Sequence, residues 1–162
     1  ARAIVSSKKR SCLRMLRLSY NSIGDVGASA LANAVRGSLL SSLQLSMNRI
    51  TDVGAIELFK ALPSMKSMKS LYLNGNAGIT DLSCSVLAET LPLNLPVRLV
   101  RLDDCGITFK GVHTLHDSVL ENSKRGGMYL YFGKISTSTH THTHKLFRSC
   151  SCCDRACRCP TA

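Results

Sequence analysis

The stretch LRMLRLSYNSI at residues 13–23 returns three times: as LSSLQLSMNRI at 40–50, as MKSLYLNGNAGI at 68–79 and as VRLVRLDDCGI at 97–107. Only the third copy carries an extra residue, before Ile79. From Leu16 the equivalent position recurs after 27 residues at Leu43, after 28 at Leu71 and after 29 at Val100. In each copy an apolar pair flanks one polar or amphipathic residue: Leu16/Leu18, Leu43/Leu45, Leu71/Leu73, Val100/Leu102. That is the period-two pattern of a short strand with one buried face. Asn21, Asn48 and Asn76 follow the strands, and Cys105 takes that place in the fourth copy.

The segments between these copies also repeat. Gly24-Asp25-Val26-Gly27-Ala28, Thr51-Asp52-Val53-Gly54-Ala55 and Thr80-Asp81-Leu82 each open an Ala/Leu-rich run with helical three/four spacing. Asp25, Asp52 and Asp81 sit where a helix N-cap is expected. Gly37, Pro63 and Pro92 follow as stop signals. Phe109 replaces the aspartate in the fourth copy. One strand-plus-helix unit buries too few aliphatic side chains to offset the ordering of its own backbone, so the units must stack.

These residues resemble the leucine-rich repeat family, in the ribonuclease-inhibitor-like subclass of long repeats with full α-helices. The resemblance covers roughly residues 11–122. It implies an α/β fold: a leucine-rich repeat solenoid with a curved parallel β-sheet on the concave side and α-helices on the convex side. Met128 lies 28 residues after Val100, followed by Leu130 and Ile135. This predicts a fifth strand with Met128 in the place of Val100. Ala3-Ile4-Val5 reads as the tail of a preceding repeat's helix, so the chain is expected to be a fragment of a longer repeat protein. Residues 1–135 are read as four repeats with partial repeats at each end, and 136–162 as a disordered Thr/His- and Cys-rich tail.

Charge and cysteine divide along the same line. The chain carries a formal net charge of +11. Residues 1–122 hold 14 Lys+Arg against 9 Asp+Glu, while residues 123–162 hold 7 against 1. Half the excess thus lies in the last quarter, and a nucleic-acid partner is disfavoured. Cys150, Cys152, Cys153, Cys157 and Cys159 crowd the tail behind the alternating Thr/His run at 139–144. An AC dinucleotide run read in triplets encodes just such an alternation, which points to an artefactual tail. Metal binding by this cluster, with thiolate and imidazole ligands, is the functional alternative. Scattered single thiols in the body and the lack of a signal peptide point to a reducing compartment, the cytoplasm. No apolar run is long enough for a membrane helix.

The residues between the inward-facing leucines are expected on the concave surface. They form columns: Arg17, Gln44, Tyr72, Arg101; then Ser19, Ser46, Asn74, Asp103; then Tyr20, Met47, Gly75, Asp104. Arg17, Tyr20, Gln44, Met47, Tyr72, Asn74, Arg101 and Asp103 are the candidate partner-binding residues, because aromatic, Met and Arg side chains are enriched at binding hot spots. The Asn ladder is read as structural, Cys84 as a buried small hydrophobe, and His113/His116 as a solvent-facing pair. No nucleophile, phosphate-loop or zinc-protease motif is present, so no catalytic residue, cofactor or metal ligand is assigned and no enzyme activity is expected. The leading expectation is a non-catalytic, monomeric protein–protein interaction scaffold. The resemblance also admits a GTPase-activating regulator of a Ran-like small GTPase, although that family carries an acidic tail and this chain a basic one. Ribonuclease inhibition is disfavoured, since a basic body repels a basic ribonuclease.

Overall fold

The computed structural model describes residues 12–91, 96–123, 129–136 and 141–146. The strands are β1 (Met15–Arg17), β2 (Ser42–Gln44), β3 (Ser70–Tyr72), β4 (Leu99–Arg101) and β5 (Tyr129–Ser136). Between them lie α1 (Asp25–Ala34), α2 (Asp52–Ala61, continued by a 3-10 turn at Leu62–Ser64), α3 (Asp81–Thr90) and α4 (Phe109–Ser123). Strands β1 to β5 form one parallel sheet in chain order. Neighbouring strands lie about 4.8 Å apart, whereas packed helices need roughly 8–10 Å. The stack must therefore bend, with the sheet inside the curve and the helices outside.

The register holds equivalent residues side by side, Leu16 beside Leu43, Leu43 beside Leu71 and Leu71 beside Val100. The core is a set of columns along the stack. Leu43, Leu71, Val100 and Leu130 form one, and Leu45, Leu73, Leu102 and Phe132 the next, all buried. From the helices come Leu31, Leu58, Leu87 and Leu115, and beside them Ala28, Ala55, Cys84 and Val112. Cys84 thus fills an alanine position, as its reading as a small hydrophobe expects.

The fifth strand sits two residues later than the sequence predicts. Leu130, not Met128, pairs with Val100, and Phe132 takes the place of Leu102. A slip of two keeps the same side chains facing inward, so alternation alone could not distinguish the registers. The preceding helix α4 has 15 residues where α1, α2 and α3 have 10 each, and it carries the strand further along. Met128 itself lies outside the described residues. Thr141–Leu146 forms β6, antiparallel to β5, within the stretch read as a disordered tail. Residues 137–140 and 147–162, including the tail cysteines, lie outside the described residues.

The aspartates do not cap their own helices. The N-caps of α2 and α3 are Thr51 and Thr80, whose hydroxyls accept from Val53 N–H and Leu82 N–H. Asp25, in the first turn of α1, reaches forward to the next repeat. It accepts from Thr51 N–H at 2.8 Å, Thr51 hydroxyl at 2.7 Å and Gly54 N–H at 3.0 Å. Asp52 does the same to Thr80 N–H (2.8 Å), Thr80 hydroxyl (2.6 Å) and Ser83 N–H (3.2 Å). Asp81 accepts from the N–H and hydroxyl of Thr108. Each carboxylate therefore sits at the positive end of the following helix, and the helices are clipped in series. Phe109 ends the series. Close approach explains the glycine that follows: a Cβ on Gly54 would lie 2.7 Å from Asp25 Oδ1.

A second ladder runs through the turns after the strands. Asn48 Nδ2 donates to the carbonyls of Leu18, Leu45 and Ser46, while its Oδ1 accepts from Ile23 N–H of the preceding repeat. Asn76 repeats this with Leu45, Leu73 and Ile50. The Cys105 thiol replaces only the donor half, with Leu73 O at 3.5 Å and Asp103 O at 3.7 Å. The acceptor half is supplied differently: Ile79 N–H bonds to Asn76 O across the turn widened by the extra residue. The insertion in the third copy and the loss of Asn in the fourth thus compensate one another.

Candidate functional site

Because inward residues alternate with outward ones, the register that builds the core also builds the opposite sheet face. Arg17, Gln44, Tyr72 and Arg101 stand in one row of paired positions, and Tyr131 extends it on β5. Five strands at about 4.8 Å make the row roughly 19 Å long. Tyr131 is missing from the sequence reading, because the two-residue slip moves it from the next row into this one. No signal in the local pattern distinguishes the two registers; the longer α4 was the only clue.

The row is most organised at its β3–β5 end. Arg101 Nε donates to Asp103 Oδ2 at 2.8 Å. Its guanidinium carbon lies 5.7 Å from the Tyr131 ring centroid, within cation–π range. The hydrogen bond from Arg101 to Asp103 is the largest influence raising the guanidinium above its ordinary value; burial opposes it. Asp103 is 13% exposed at its side chain against 43% for Arg101. Asp103 is therefore a positioning group, and Arg101 is the group presented outward. Tyr72, half-buried, is the neighbour of Arg101 on β3. The cluster Tyr72–Arg101–Tyr131 offers two aromatic rings and one fixed cation on a single rigid surface.

The other candidates are distributed. Asn74 Oδ1 accepts from Ser46 hydroxyl at 2.6 Å, which ties two repeats together and occupies that oxygen. Gln44 is half-buried in the row, and Arg17 is exposed at its β1 end, with Nε 3.1 Å from Met15 Sδ. Tyr20 and Met47 lie beyond the strands, where the chain turns with φ of 58° and 53°; Asp104 and Gly75 share that left-handed conformation at 54° and 75°. The backbone N–H of Tyr20, Met47 and Gly75 each bonds to a carbonyl of the next repeat, which sustains the strained turn. Their row therefore forms the rim of the sheet face rather than its floor. Tyr20 is 80% exposed, while Met47 folds over Gly75, where a Cβ would lie 2.1 Å from its sulfur.

Two of the three described thiols are chemically quiet. Burial, the main cause, pushes both Cys84 and Cys105 up to about 12. His113 stacks obliquely on Phe109 with centroids 6.4 Å apart. Among the described residues no three His, Cys, Asp or Glu side chains gather where a metal ion could be held. No helix among them is long and apolar enough to cross a membrane.

With this geometry established, comparison with known families finds one that matches part of the chain. The family described as Leucine Rich repeat matches residues 10–32 and 38–59, the first two copies. No curated protein matches the chain. The repeat match and the parallel sheet with alternating helices make the fold a leucine-rich repeat solenoid.

Proposed function

We propose that this leucine-rich repeat chain is a non-catalytic module, part of a longer repeat array, that binds a protein partner on the concave face of its sheet. The observation that carries the reading is the Tyr72–Arg101–Tyr131 cluster. Arg101 is held by Asp103 beside an aromatic ring, so little side-chain entropy remains to be lost on binding. Tyr and Arg anchors supply most of the energy at hot spots. The acidic and apolar character complementary to this cluster, a carboxylate beside an aliphatic or aromatic side chain, is the expected footprint on the partner. Gln44 and Arg17 continue the row and add polar contacts toward β1.

The test uses a photo-crosslinking residue placed at Tyr72 and, separately, at the exposed Asn33 on α1. A partner of the concave face crosslinks from position 72, not from 33, and the crosslink weakens severalfold in an Arg101→Ala background. Equal yield from both positions, or indifference to Arg101→Ala, refutes the assignment.

A further inference from the structure

We propose that the edge of the solenoid where the strands begin and the helices end is a second binding surface, for an acidic polypeptide segment. Arg14, Arg36, Lys60, Lys66, Lys69 and Arg98 are all exposed on this edge. Glu57 pairs with Lys60 at 3.6 Å. Among the described residues ahead of α4, Glu89 on the last turn of α3 is the one other acid there. The remaining acids of the repeats gather at the opposite edge, where most are engaged. Asp25, Asp52 and Asp81 accept from the following repeat, and Asp103 holds Arg101. The other segments of the chain add no counter-charge: residues 1–11 and 92–95 contain no Asp or Glu, and residues 123–162 contain 1 against 7 Lys+Arg. A net charge summed over the body hides this separation of the two edges.

The helix macrodipole accounts for Lys60, which lies in the last turn of α2, but not for the cations of the loops. Backbone hydrogen bonds hold those in fixed relation. Gly37 N–H donates to Ser64 O at 3.2 Å, which sets Arg36 beside the loop that carries Lys66. The turn from Met65 to Met68, closed by Met68 N–H on Met65 O at 3.0 Å, brings Lys66 to the start of β3. Ser41 N–H donates to Arg14 O, Lys69 N–H to Ser41 O and Arg98 N–H to Lys69 O, at 2.7, 2.8 and 2.8 Å. Arg14, Ser41, Lys69 and Arg98 therefore stand on successive rungs. Three intervals of about 4.8 Å make this row roughly 14 Å long, the reach of about four residues of extended chain.

Charge and side-chain type together select the occupant. A phosphate backbone would meet the charge, but single-stranded nucleic acid is also held by rings that stack on its bases. Among the described residues the aromatic side chains that reach the surface, Tyr20, Tyr72, Phe109 and Tyr131, all lie away from this edge. The apolar surface here is aliphatic: Leu39, in the loop after Arg36, is 37% exposed. Carboxylates interspersed with aliphatic side chains match both features. Exposed ion pairs contribute little singly, so binding rests on several at once and weakens with salt. This surface is separate from the concave face and does not depend on the reading of that face.

The experiment titrates the full chain into a fluorescein-labelled peptide repeating Glu-Glu-Leu and follows its anisotropy. Affinity is expected to fall about tenfold between about 50 and about 300 mM salt, and about tenfold in the double variant Lys66→Glu/Lys69→Glu. Arg49→Glu/Lys110→Glu makes the same change in net charge at exposed positions on the opposite edge, and is expected to cost less than about threefold. Arg101→Ala, on the sheet face, is expected to leave peptide binding unchanged. Equal losses from the two charge reversals show a response to net charge alone and overturn the proposal. Loss of binding in Arg101→Ala overturns it by moving the peptide to the sheet face. Tighter binding of a single-stranded RNA of matched charge, lost in the same Lys66/Lys69 variant, overturns it by assigning the edge to nucleic acid.

Discussion

Removing the Asp52 carboxylate tests whether the stack is clipped in series. Asp52 accepts three hydrogen bonds from the start of the next repeat, at 2.6, 2.8 and 3.2 Å. Hydrogen bonds to a charged group contribute about 1.5–3 kcal/mol when deleted singly. These three share one partly solvated carboxylate, so the sum is discounted, and Asp52→Ala is expected to cost about 3 kcal/mol. Against a native stability of roughly 5–15 kcal/mol, that is a large fraction. With a urea slope near 2 kcal/mol/M, the midpoint falls by about 1.5 M. Asp52→Asn keeps one oxygen for Thr80 and Ser83 N–H but loses the charge and the acceptor for the Thr80 hydroxyl, so about 1–2 kcal/mol is expected.

The pH dependence separates the two terms. Burial is the largest influence on Asp52 and pushes its carboxyl upward, but the bonds from Thr80 and Ser83 together outweigh it and leave it below its ordinary value. A carboxyl depressed in the folded state binds fewer protons there than when unfolded. Its stabilisation is complete above the ordinary carboxylate range and disappears as pH falls through the depressed value. The gap between the native chain and Asp52→Asn is therefore expected to be full at pH 7 and to close in strong acid. Urea unfolding at both pH values measures it, with Asp104→Asn as the control acid outside the ladder. A loss below about 1 kcal/mol for Asp52→Ala, or a gap to Asp52→Asn that does not narrow in acid, would refute the clip.

Three further outcomes follow from the same contacts. Gly54→Ala places a Cβ 2.7 Å from Asp25 Oδ1 and 2.9 Å from Ala28 Cβ, and is expected to cost about 1–3 kcal/mol by forcing the first junction apart; a melting temperature equal to the native one counts against it. Iodoacetamide at pH 8 is expected to label exposed Cys12 in the folded chain and to spare Cys84 and Cys105, whose thiols lie near 12; peptide mapping before and after denaturation reads this directly. Cys105→Asn is expected to change stability by less than about 1 kcal/mol, because Ile79 N–H already bonds to Asn76 O; a gain comparable to a full Asn rung would show that the widened turn does not serve that group.

The core was legible because it depends on two periods that a sequence displays openly. Leu43, Leu71 and Val100 recur at nearly constant intervals, and the helical leucines recur beside them. The aspartates were legible as helix-start signals but not in their direction. A cap and a clip to the next repeat require the same residue beside the same threonine. Only the third dimension shows that Thr51 serves its own helix while Asp25 serves the neighbour's. The repeat gives one hint of this: the glycine three places into the helix at Gly54 and Gly111 is needed for the carboxylate that approaches it, not for the helix itself, where glycine is a poor former.

The site was harder to read than the core for a physical reason. Burial fixes which side chains face inward, and any register slip of two leaves that choice intact. The outward row has no such constraint, so its composition changes with the slip while the core does not. Taking Met128 as the equivalent of Val100 places Tyr129 in line with Arg101; the actual pairing places Tyr131 there. The cation–π contact that organises the cluster exists only in the second arrangement. Replacing Tyr131 with alanine therefore removes the aromatic support of Arg101 without touching the Asp103 bond. Partner crosslinking from position 72 is then expected to fall even though the fold persists, and an unaltered yield would place the binding surface elsewhere along the row.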